Sequence, residues 1–429
     1  MKTRALLLGL ITVAAAGAAE PPEPKFQAIT LDDQVQIGYG LAIADVDGDG
    51  RPDILLADKK QFVWYRNPGP EKAHDPKAWT KYLLAENLTE HDNVCIAAQD
   101  IDGDGKCEIA VGAEWNPGDT EKSGAVFYLI PPADRTQPWT PVKFPNVEPT
   151  THRMRWIKTA GEPGHPSSWG LLVAPLHGRG DKNGEGAPSK ILLYHPPADP
   201  HSEWPSEVVA EQMHMTHNFV RLSMSGAADA PDSILLGGKE GLLTCRPVGG
   251  KWEQTAPVMA GDPPMGVGEV RLGSLVNGVQ YIATVEPMHG NSLAVYVPQK
   301  SVKSKAALFR RPLTARLVDG HALACGNLLG GLPGVSAADQ IVVGWRGRPG
   351  SPNSTTGLAV WAPLDGQGEK WRQTVIDPDG MACEDLQLAD LDGDGKPDII
   401  ASGRATKNLK IYFNQTITPD TQSQPASPH

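Results

Sequence analysis

The chain has 429 residues, of which 40% are hydrophobic and 21% charged, and its formal net charge is −11 at pH 7. This length is ample for a large core, and the acidic excess argues against a basic nucleic-acid-binding surface. The 46 glycines and 39 prolines favour many turns and short strands over long helices.

The first 19 residues have the pattern of a secretory signal peptide. Lys2 and Arg4 precede an apolar stretch over residues 5–16, and small residues follow at 17–19. The apolar stretch is too short to span a bilayer comfortably. We therefore expect cleavage of this segment, export to the periplasm or the extracellular space, and a mature chain without a membrane span.

Three copies of the pattern DxDGDGxxD, the second ending in Glu, predict calcium-binding loops. Carboxylates stand at positions 1, 3, 5 and 9, which are Asp45, Asp47, Asp49 and Asp53, then Asp100, Asp102, Asp104 and Glu108, then Asp390, Asp392, Asp394 and Asp398. The glycines permit the positive φ of a tight turn, and a dense set of hard oxygen ligands suits Ca²⁺. Each loop lies between short β-type runs, unlike an EF-hand, so we expect the ions to brace turns.

The spacing of these loops predicts an all-β, seven-bladed β-propeller over residues 20–415. The step from Asp45 to Asp100 is 55 residues, and Asp390 lies 345 residues after Asp45, which is about six such steps. Apolar strand endings, most with Tyr or Trp, recur near residues 65, 128, 194, 244, 296, 361 and 412. Eight blades remain the alternative if residues 25–36 or 131–150 form more than an edge strand. The polar tail, 416–429, is predicted to be disordered.

The propeller geometry separates the acidic loops from a second set of residues. The acidic loops join the first and second strands of a blade, whereas the starts of the first strands meet at the opposite mouth of the channel. In the intact repeats, the residue six positions before the first loop Asp is Tyr39, Val94 or Glu384. If the degraded repeats keep this register, His152, His217 and His321 occupy the equivalent position.

Six of the twelve histidines map to this mouth, namely His91, His152, His177, His217, His289 and His321. Neutral imidazoles with a carboxylate can hold Zn²⁺ or another divalent metal, or can act as bases and acids near neutral pH. We predict His152, His217 and His321 with Glu384 as the metal or base set, and His91 and His177 as alternative acid or base groups. Arg179, Arg346 and Arg404 suit anchoring of an oxygen-rich substrate.

The acidic loops resemble the FG-GAP or VCBS repeats of integrin-α-type propellers. More specific phrases are EHDNV at 90–94, HRMRW at 152–156, APLHGRG at 174–180, MHMTHNF at 213–219, EPMHG at 286–290, DGHA at 319–322 and GRAT at 403–406. Together they resemble the propeller domain of aldos-2-ulose dehydratases. The resemblance implies a seven-bladed propeller that binds metal ions and removes water from a keto-sugar such as 1,5-anhydrofructose. Enzymes of that family carry cupin domains besides the propeller.

The hypothesis from the sequence is an exported carbon–oxygen lyase that dehydrates a small keto-sugar by β-elimination. A histidine at the mouth removes the proton next to the ketone, a metal or arginine stabilises the enolate, and an acid protonates the departing hydroxyl. Two alternatives remain open: a non-catalytic glycan-binding or adhesion propeller, and a polysaccharide lyase that recognises uronic acids through arginine. The sequence leaves the sugar and the oligomeric state undetermined.

Overall fold

The computed structural model describes residues 20–160, 169–222, 230–255, 266–301, 304–330, 338–351 and 354–417. The predicted signal peptide and residues 418–429 of the predicted tail lie outside these ranges. Thr416, the first residue of that tail, is buried, and its hydroxyl accepts a hydrogen bond from the Lys25 backbone N–H at 3.1 Å. Within the described ranges, no helix is long and apolar enough to cross a membrane.

The described residues form 28 strands in seven four-stranded antiparallel sheets, which are the blades of a propeller. Blade one contains β2 (Gly40–Ala44), β3 (Asp53–Ala57), β4 (Gln61–Arg66) and β5 (Thr80–Glu86). Blade two contains β6 (Cys95–Gln99), β7 (Glu108–Ala113), β8 (Ala125–Ile130) and β9 (Thr140–Lys143). Blade three contains β10 (Thr151–Lys158), β11 (Trp169–Pro175), β12 (Ile191–Tyr194) and β13 (Ser206–Ala210). Blade four contains β14 (Thr216–Leu222), β15 (Ser233–Gly238), β16 (Gly241–Val248) and β17 (Lys251–Gln254).

The remaining blades repeat this order, and the last one is completed by the first strand of the chain. Blade five contains β18 (Val270–Ser274), β19 (Gln280–Glu286), β20 (Ser292–Ser301) and β21 (Ser304–Thr314). Blade six contains β22 (Gly320–Gly326), β23 (Gln340–Trp345), β24 (Gly357–Pro363) and β25 (Trp371–Asp377). Blade seven contains β26 (Cys383–Ala389), β27 (Asp398–Gly403) and β28 (Asn408–Asn414), with β1 (Phe26–Asp32) as its outer strand.

The pairing of β1 with β28 closes the ring and decides the number of blades. Phe26 lies opposite Asn414 and Asp32 opposite Leu409, so the two ends of the propeller share one sheet. The 131–150 stretch supplies β9, the outer strand of blade two. Both stretches that would have built an eighth blade are therefore single outer strands, and the seven-bladed prediction is confirmed.

The hydrophobic core is divided among the seams between neighbouring blades. Each buried cluster joins residues of two consecutive blades; Leu55 and Trp64 of blade one, for example, pack with Ile109 and Phe127 of blade two. A corresponding cluster joins blade seven to blade one through Ile400, among others. The blades of a propeller have one apolar face towards each neighbour, so this packing fixes where every first strand sits around the channel.

Four of the first strands carry a β-bulge at their second residue. The pairing register shifts by one residue at that point in β10, β14, β22 and β26, and the unpaired residues are His152, His217, His321 and Glu384. A bulge inserts a residue without a ladder partner and redirects its side chain. These four residues thus stand at one level of the ring, as the register of the acidic repeats predicted.

Candidate metal centres and channel mouth

The three acidic loops have the same internal hydrogen bonding. In the first loop, the two oxygens of Asp45 accept backbone N–H bonds from Gly48 and Gly50, both at 2.7 Å. Both glycines have positive φ, 81° and 82°, a conformation that side chains disfavour. Asp100 and Asp390 accept the corresponding bonds at 2.7–3.0 Å in their own loops. The repeat in sequence is therefore a repeat in local structure.

Three carboxylates of each loop lie together, with ligand oxygens within 4.8 Å of one another. The groups are Asp45, Asp47 and Asp53, then Asp100, Asp102 and Glu108, then Asp390, Asp392 and Asp398. The position-5 carboxylates, Asp49, Asp104 and Asp394, are not in these groups. Asp49 pairs with Arg51 and Arg66, and Asp394 pairs with Lys396 at 2.9 Å. Each loop can hold a metal ion on these three side chains.

The last carboxylate of each loop is buried and ties the loop to its blade. Asp53 accepts backbone N–H bonds from Val46 at 2.9 Å and from Asn67 at 2.8 Å. Burial raises the pKa of Asp53, Glu108 and Asp398 to about 7. A nearby cation would favour the ionised form of these groups, which is the form that binds metal.

At the opposite end of the channel, four histidines from blades three to six pack ring against ring. The ring centroids of His217 lie 4.7 Å from those of His152 and His289, and 5.4 Å from that of His321. Ligand atoms of His217, His289 and His321 lie within 4.8 Å of one another, a group that can hold a metal ion. The sequence placed His152 with His217 and His321 in a metal or base set; His152 lies beside the metal group and stacks on Trp115 at 5.1 Å.

Backbone carbonyls fix the tautomer of three of these rings. The Nδ1 atoms of His152, His217 and His321 lie 3.0, 3.1 and 2.6 Å from the carbonyl oxygens of His217, Gly268 and Glu384. A carbonyl oxygen only accepts, so each Nδ1 carries the proton and each Nε2 keeps its lone pair. Metal-binding histidines are typically oriented in this way by a partner of the other nitrogen.

The fourth ring has the opposite arrangement. His289 Nδ1 lies 3.3 Å from an Arg346 guanidinium nitrogen, which only donates, so its Nδ1 accepts. His289 Nε2 lies 2.7 Å from His217 Nε2 and therefore carries the proton between them. The proton on His289 Nε2 is thus donated to His217 Nε2, and both residues belong to the group that can hold a metal ion.

Burial keeps all four imidazoles neutral near pH 7. Desolvation lowers the pKa of His217 and lowers those of His152 and His321 well below the ordinary value. Desolvation, with the charge of His217 and Arg346 nearby, lowers the pKa of His289 to about 2. The neutral form is the form that acts as a metal ligand or as a base.

An ion-pair network flanks the cluster. Arg346 donates to both oxygens of Glu384 at 3.0 and 2.9 Å and to Asp319 at 2.8 Å. Arg404 donates to Glu384 at 3.2 Å and lies over the Tyr39 ring. A cavity of about 410 Å³ adjoins this network, lined by Asp319, Arg346, Gly347, Arg348, Pro349, Arg404 and Ala405. The cavity places guanidinium groups within reach of a bound molecule.

Three predicted residues lie away from the cluster. His91 pairs with Glu114. His177 Nδ1 lies 2.7 Å from the buried carboxylate of Asp181. Arg179 donates to the backbone carbonyls of Glu121 and Val147 at 2.7 and 3.3 Å. Each of these side chains is therefore bound to a partner other than the central histidines.

Two residues contribute more to the site than we predicted from the sequence. His289 counted among the mouth histidines and Arg346 among the arginines, but neither entered the predicted metal or base set. Both follow second strands, β19 and β23, where no bulge register aligns them with the first-strand histidines. Glu269, 3.2 Å from His217 Nδ1, also belongs to the cluster. The phrase EPMHG was the one local signal for His289.

Comparisons with known proteins agree with this architecture. Residues 123–299 match the family model described as aldos-2-ulose dehydratase, beta-propeller domain. The chain resembles the β-propeller domain of aldos-2-ulose dehydratases. The matched segment includes His152, His177, Arg179, His217 and His289. Residues 45–111, with the first two acidic loops, match an FG-GAP-like repeat.

Other similarities are partial or concern the fold alone. Cartilage acidic protein 1 of Xenopus tropicalis is 33% identical over 113 residues, which are 22% of this chain and 16% of that protein. The crystal structure of BBS1N in complex with ARL6DN, soaked with lead, has a TM-score of 0.52 at 13% identity, covering 94% of this chain and 100% of that one. The same complex soaked with mercury has a TM-score of 0.53 at 12% identity, covering 91% of this chain and 97% of that one. At these identities the likeness shows the propeller fold.

Proposed function

We propose that the chain is an exported carbon–oxygen lyase that removes water from a small keto-sugar, with structural Ca²⁺ in the three acidic loops. The observation that carries the proposal is the convergence of four neutral histidines beside the Glu384 network. Polar and ionisable groups that meet beside a cavity are characteristic of a reaction site. The match to the propeller domain of aldos-2-ulose dehydratases favours dehydration as the reaction.

His217, His289 and His321 suit a divalent transition metal such as Zn²⁺. Three imidazoles with a further open position are a common catalytic zinc set. Two of the three Nε2 lone pairs are held available by Nδ1–H bonds to backbone carbonyls. A metal bound there would supply Lewis-acid polarisation of a substrate carbonyl.

The remaining residues divide the proton transfers and the binding. His152 is outside the metal group, and its neutral Nε2 is our candidate base for the C–H bond next to the ketone. As that bond breaks, its electron pair forms a C=C bond and the neighbouring C–O bond breaks. His177, held by Asp181, is our candidate acid, and it gives the hydroxyl the proton with which it leaves as water. Arg404 and Arg346 bind substrate oxygens.

The test is a substrate panel for the purified chain loaded with Ca²⁺ and Zn²⁺. The arms are 1,5-anhydrofructose, an aldos-2-ulose and a uronic-acid polysaccharide, with release of an unsaturated product read by ultraviolet absorbance. We expect turnover of a keto-sugar, and loss of turnover in His152→Gln with the melting temperature unchanged. Cleavage of the polysaccharide alone would support the uronate lyase. Binding without turnover, unaffected by His152→Gln, would support the adhesion propeller and overturn the proposal.

A further inference from the structure

Between the histidine cluster and the acidic loops, the channel encloses a group of charges that the proposed function does not use. Three arginines and two carboxylates act on one another electrostatically there: Arg153, Arg155, Arg271, Glu269 and Asp385. Three positive charges against two negative ones leave an excess of one positive charge. Charges inside a protein are normally paired, so the excess calls for a partner.

The hydrogen bonds identify which of the three arginines lacks a partner, since Arg153 and Arg271 each donate to a backbone carbonyl. Glu269 binds Asn218 Nδ2 at 2.7 Å and lies 3.5 Å from an Arg271 nitrogen. Asp385 accepts the backbone N–H of Leu41 at 2.8 Å and that of Leu386 at 2.9 Å. Both carboxylates are therefore engaged without Arg155.

Arg155 itself has no protein partner. Over the described ranges of the chain, its guanidinium makes no hydrogen bond or ion pair, and its contact is the Phe219 ring at 6.0 Å. Burial, followed by the charge of Arg271, lowers the pKa of Arg155 to about 10, so the group remains charged at neutral pH. Five N–H donors on this group lack an acceptor from the protein.

A cavity of about 240 Å³ adjoins Arg155. It lies towards the loop end of the first strands, where Gln99, Arg221 and Gln387 also line it. Arg221 is paired with Asp232 at 2.8 Å, and each amide donates to a backbone carbonyl. The volume is below the roughly 300–1,000 Å³ of drug-sized ligand pockets. The space suits a small molecule of a few heavy atoms.

We propose that this channel site binds a small oxyanion, a carboxylate or an inorganic tetrahedral anion, on Arg155. The planar guanidinium matches such anions with two parallel hydrogen bonds. The anion balances the excess charge, and a smaller second cavity is lined by Arg153 and Arg155 together. The proposal is independent of lyase activity, since binding needs neither substrate nor the mouth metal.

The test is titration calorimetry of the full chain, loaded with Ca²⁺, against sulfate and against glycolate at constant ionic strength. Sulfate represents the inorganic source and glycolate a small hydroxy-acid. We expect one site for at least one of them, and Arg155→Met weakens it by roughly 10- to 100-fold, because hydrogen bonds to a charged group are lost. Arg155→Lys keeps the charge but loses the planar fork, and we expect an intermediate affinity.

The matched control is Arg246→Met, which removes an arginine paired with Glu253 on the outer strands of blade four and should leave the isotherm unchanged. Unliganded Arg155→Met should melt no lower than the wild type, because a partly buried charge without a hydrogen-bond partner is replaced by an apolar chain of similar length. The proposal is overturned if neither anion binds, which would mean that water alone solvates Arg155. It is equally overturned if Arg155→Met retains the full affinity of the wild type for the anion.

Discussion

The two ends of the channel carry groups that can hold a metal ion and that are built in opposite ways. An acidic loop takes its three carboxylates from nine consecutive residues, and its first Asp already bonds the glycines three and five positions later. The histidine group takes one ring from each of blades four, five and six, with more than a hundred residues between His217 and His321. The loops depend on local conformation, whereas the histidine group depends on the packing of whole blades.

This difference means that the acidic loops can be recognised from a short stretch of sequence, whereas the histidine group exists only in the closed ring of blades. It also predicts different consequences of damage. A change at the mouth should remove chemistry and leave the fold intact, because the histidines line a channel outside the seams of the core. A change in a loop should lower stability and leave the mouth unaffected below the melting temperature.

The largest effect is expected at the histidine group. His321→Ala removes one of three metal ligands, and we expect loss of Zn²⁺ binding and a fall in turnover of about 10³-fold or more. Metal content by mass spectrometry and turnover of the keto-sugar check this. His195→Ala is the control, because His195 pairs with Glu207 on outer strands. Full zinc content in His321→Ala would contradict the proposed role of the histidine group in binding the metal.

A smaller effect is expected at Arg346, which holds Glu384, the residue whose backbone carbonyl orients His321. Arg346→Gln loosens this positioning, and we expect zinc affinity to fall by roughly 10- to 100-fold, in the range known for partners of metal ligands. Competition with a chromogenic chelator measures it. Arg179→Gln is the matched control, since Arg179 binds backbone carbonyls at the rim. Equal effects of the two variants would contradict the network described here.

Calcium loading should distinguish the loops from the mouth. A site filled at 100 times its Kd stabilises a fold by about 2.7 kcal/mol. We expect Asp45→Asn to lose about that much of the calcium-dependent stability, seen as a smaller rise in melting temperature between chelator and calcium. Turnover at 25 °C should stay at the wild-type level. Asp75→Asn, an exposed carboxylate, should respond to calcium as the wild type does.

The smallest effect is expected at Asp377, a reference residue that belongs neither to the acidic loops nor to the histidine group. Burial acts to raise the pKa of Asp377, but bonds from Lys410 and Tyr412 at 2.9 and 2.7 Å outweigh it and hold the pKa below its usual value. A lowered carboxyl pKa contributes stability above the unfolded pKa of about 3.9, and this stability is lost as pH falls through the folded value. Asp377→Asn should cost about 1 kcal/mol at pH 7.

The cost of Asp377→Asn should shrink as the pH falls through the lowered pKa of Asp377, because the wild-type carboxyl then becomes protonated as well. Urea unfolding at pH 7 and at low pH measures it. The difference should be the same in chelator and in calcium, because the hydrogen-bond partners of Asp377 lie outside the acidic loops. A difference that appears only in calcium would mean that the stabilities of the loops and of the seams are coupled. The acidic loops and the rest of the propeller would then not respond independently.

Much of the architecture was predictable because it is encoded in repeats. The spacing of Asp45, Asp100 and Asp390 gave seven blades, and the same register located His152, His217, His321 and Glu384 on one level. The position-5 ligands stay a prediction, and in the structure Asp49 and Asp394 are paired with basic neighbours whose reach a motif does not record. The sequence analysis placed His289 at the mouth, but its membership of the metal group depends on the path of the chain after β19.

The sequence by itself determined the fold class, the blade number, the acidic loops and the ring of first-strand histidines, because these depend on short-range conformation and a constant period. Tertiary structure alone decided which three histidines meet, which tautomer each carries, and that Arg155 is left without a partner. Those features depend on distances between residues of different blades, which only the closure of β1 onto β28 brings to their final values. The acidic loops and the histidines therefore share a register in sequence, while only the histidines need the whole ring.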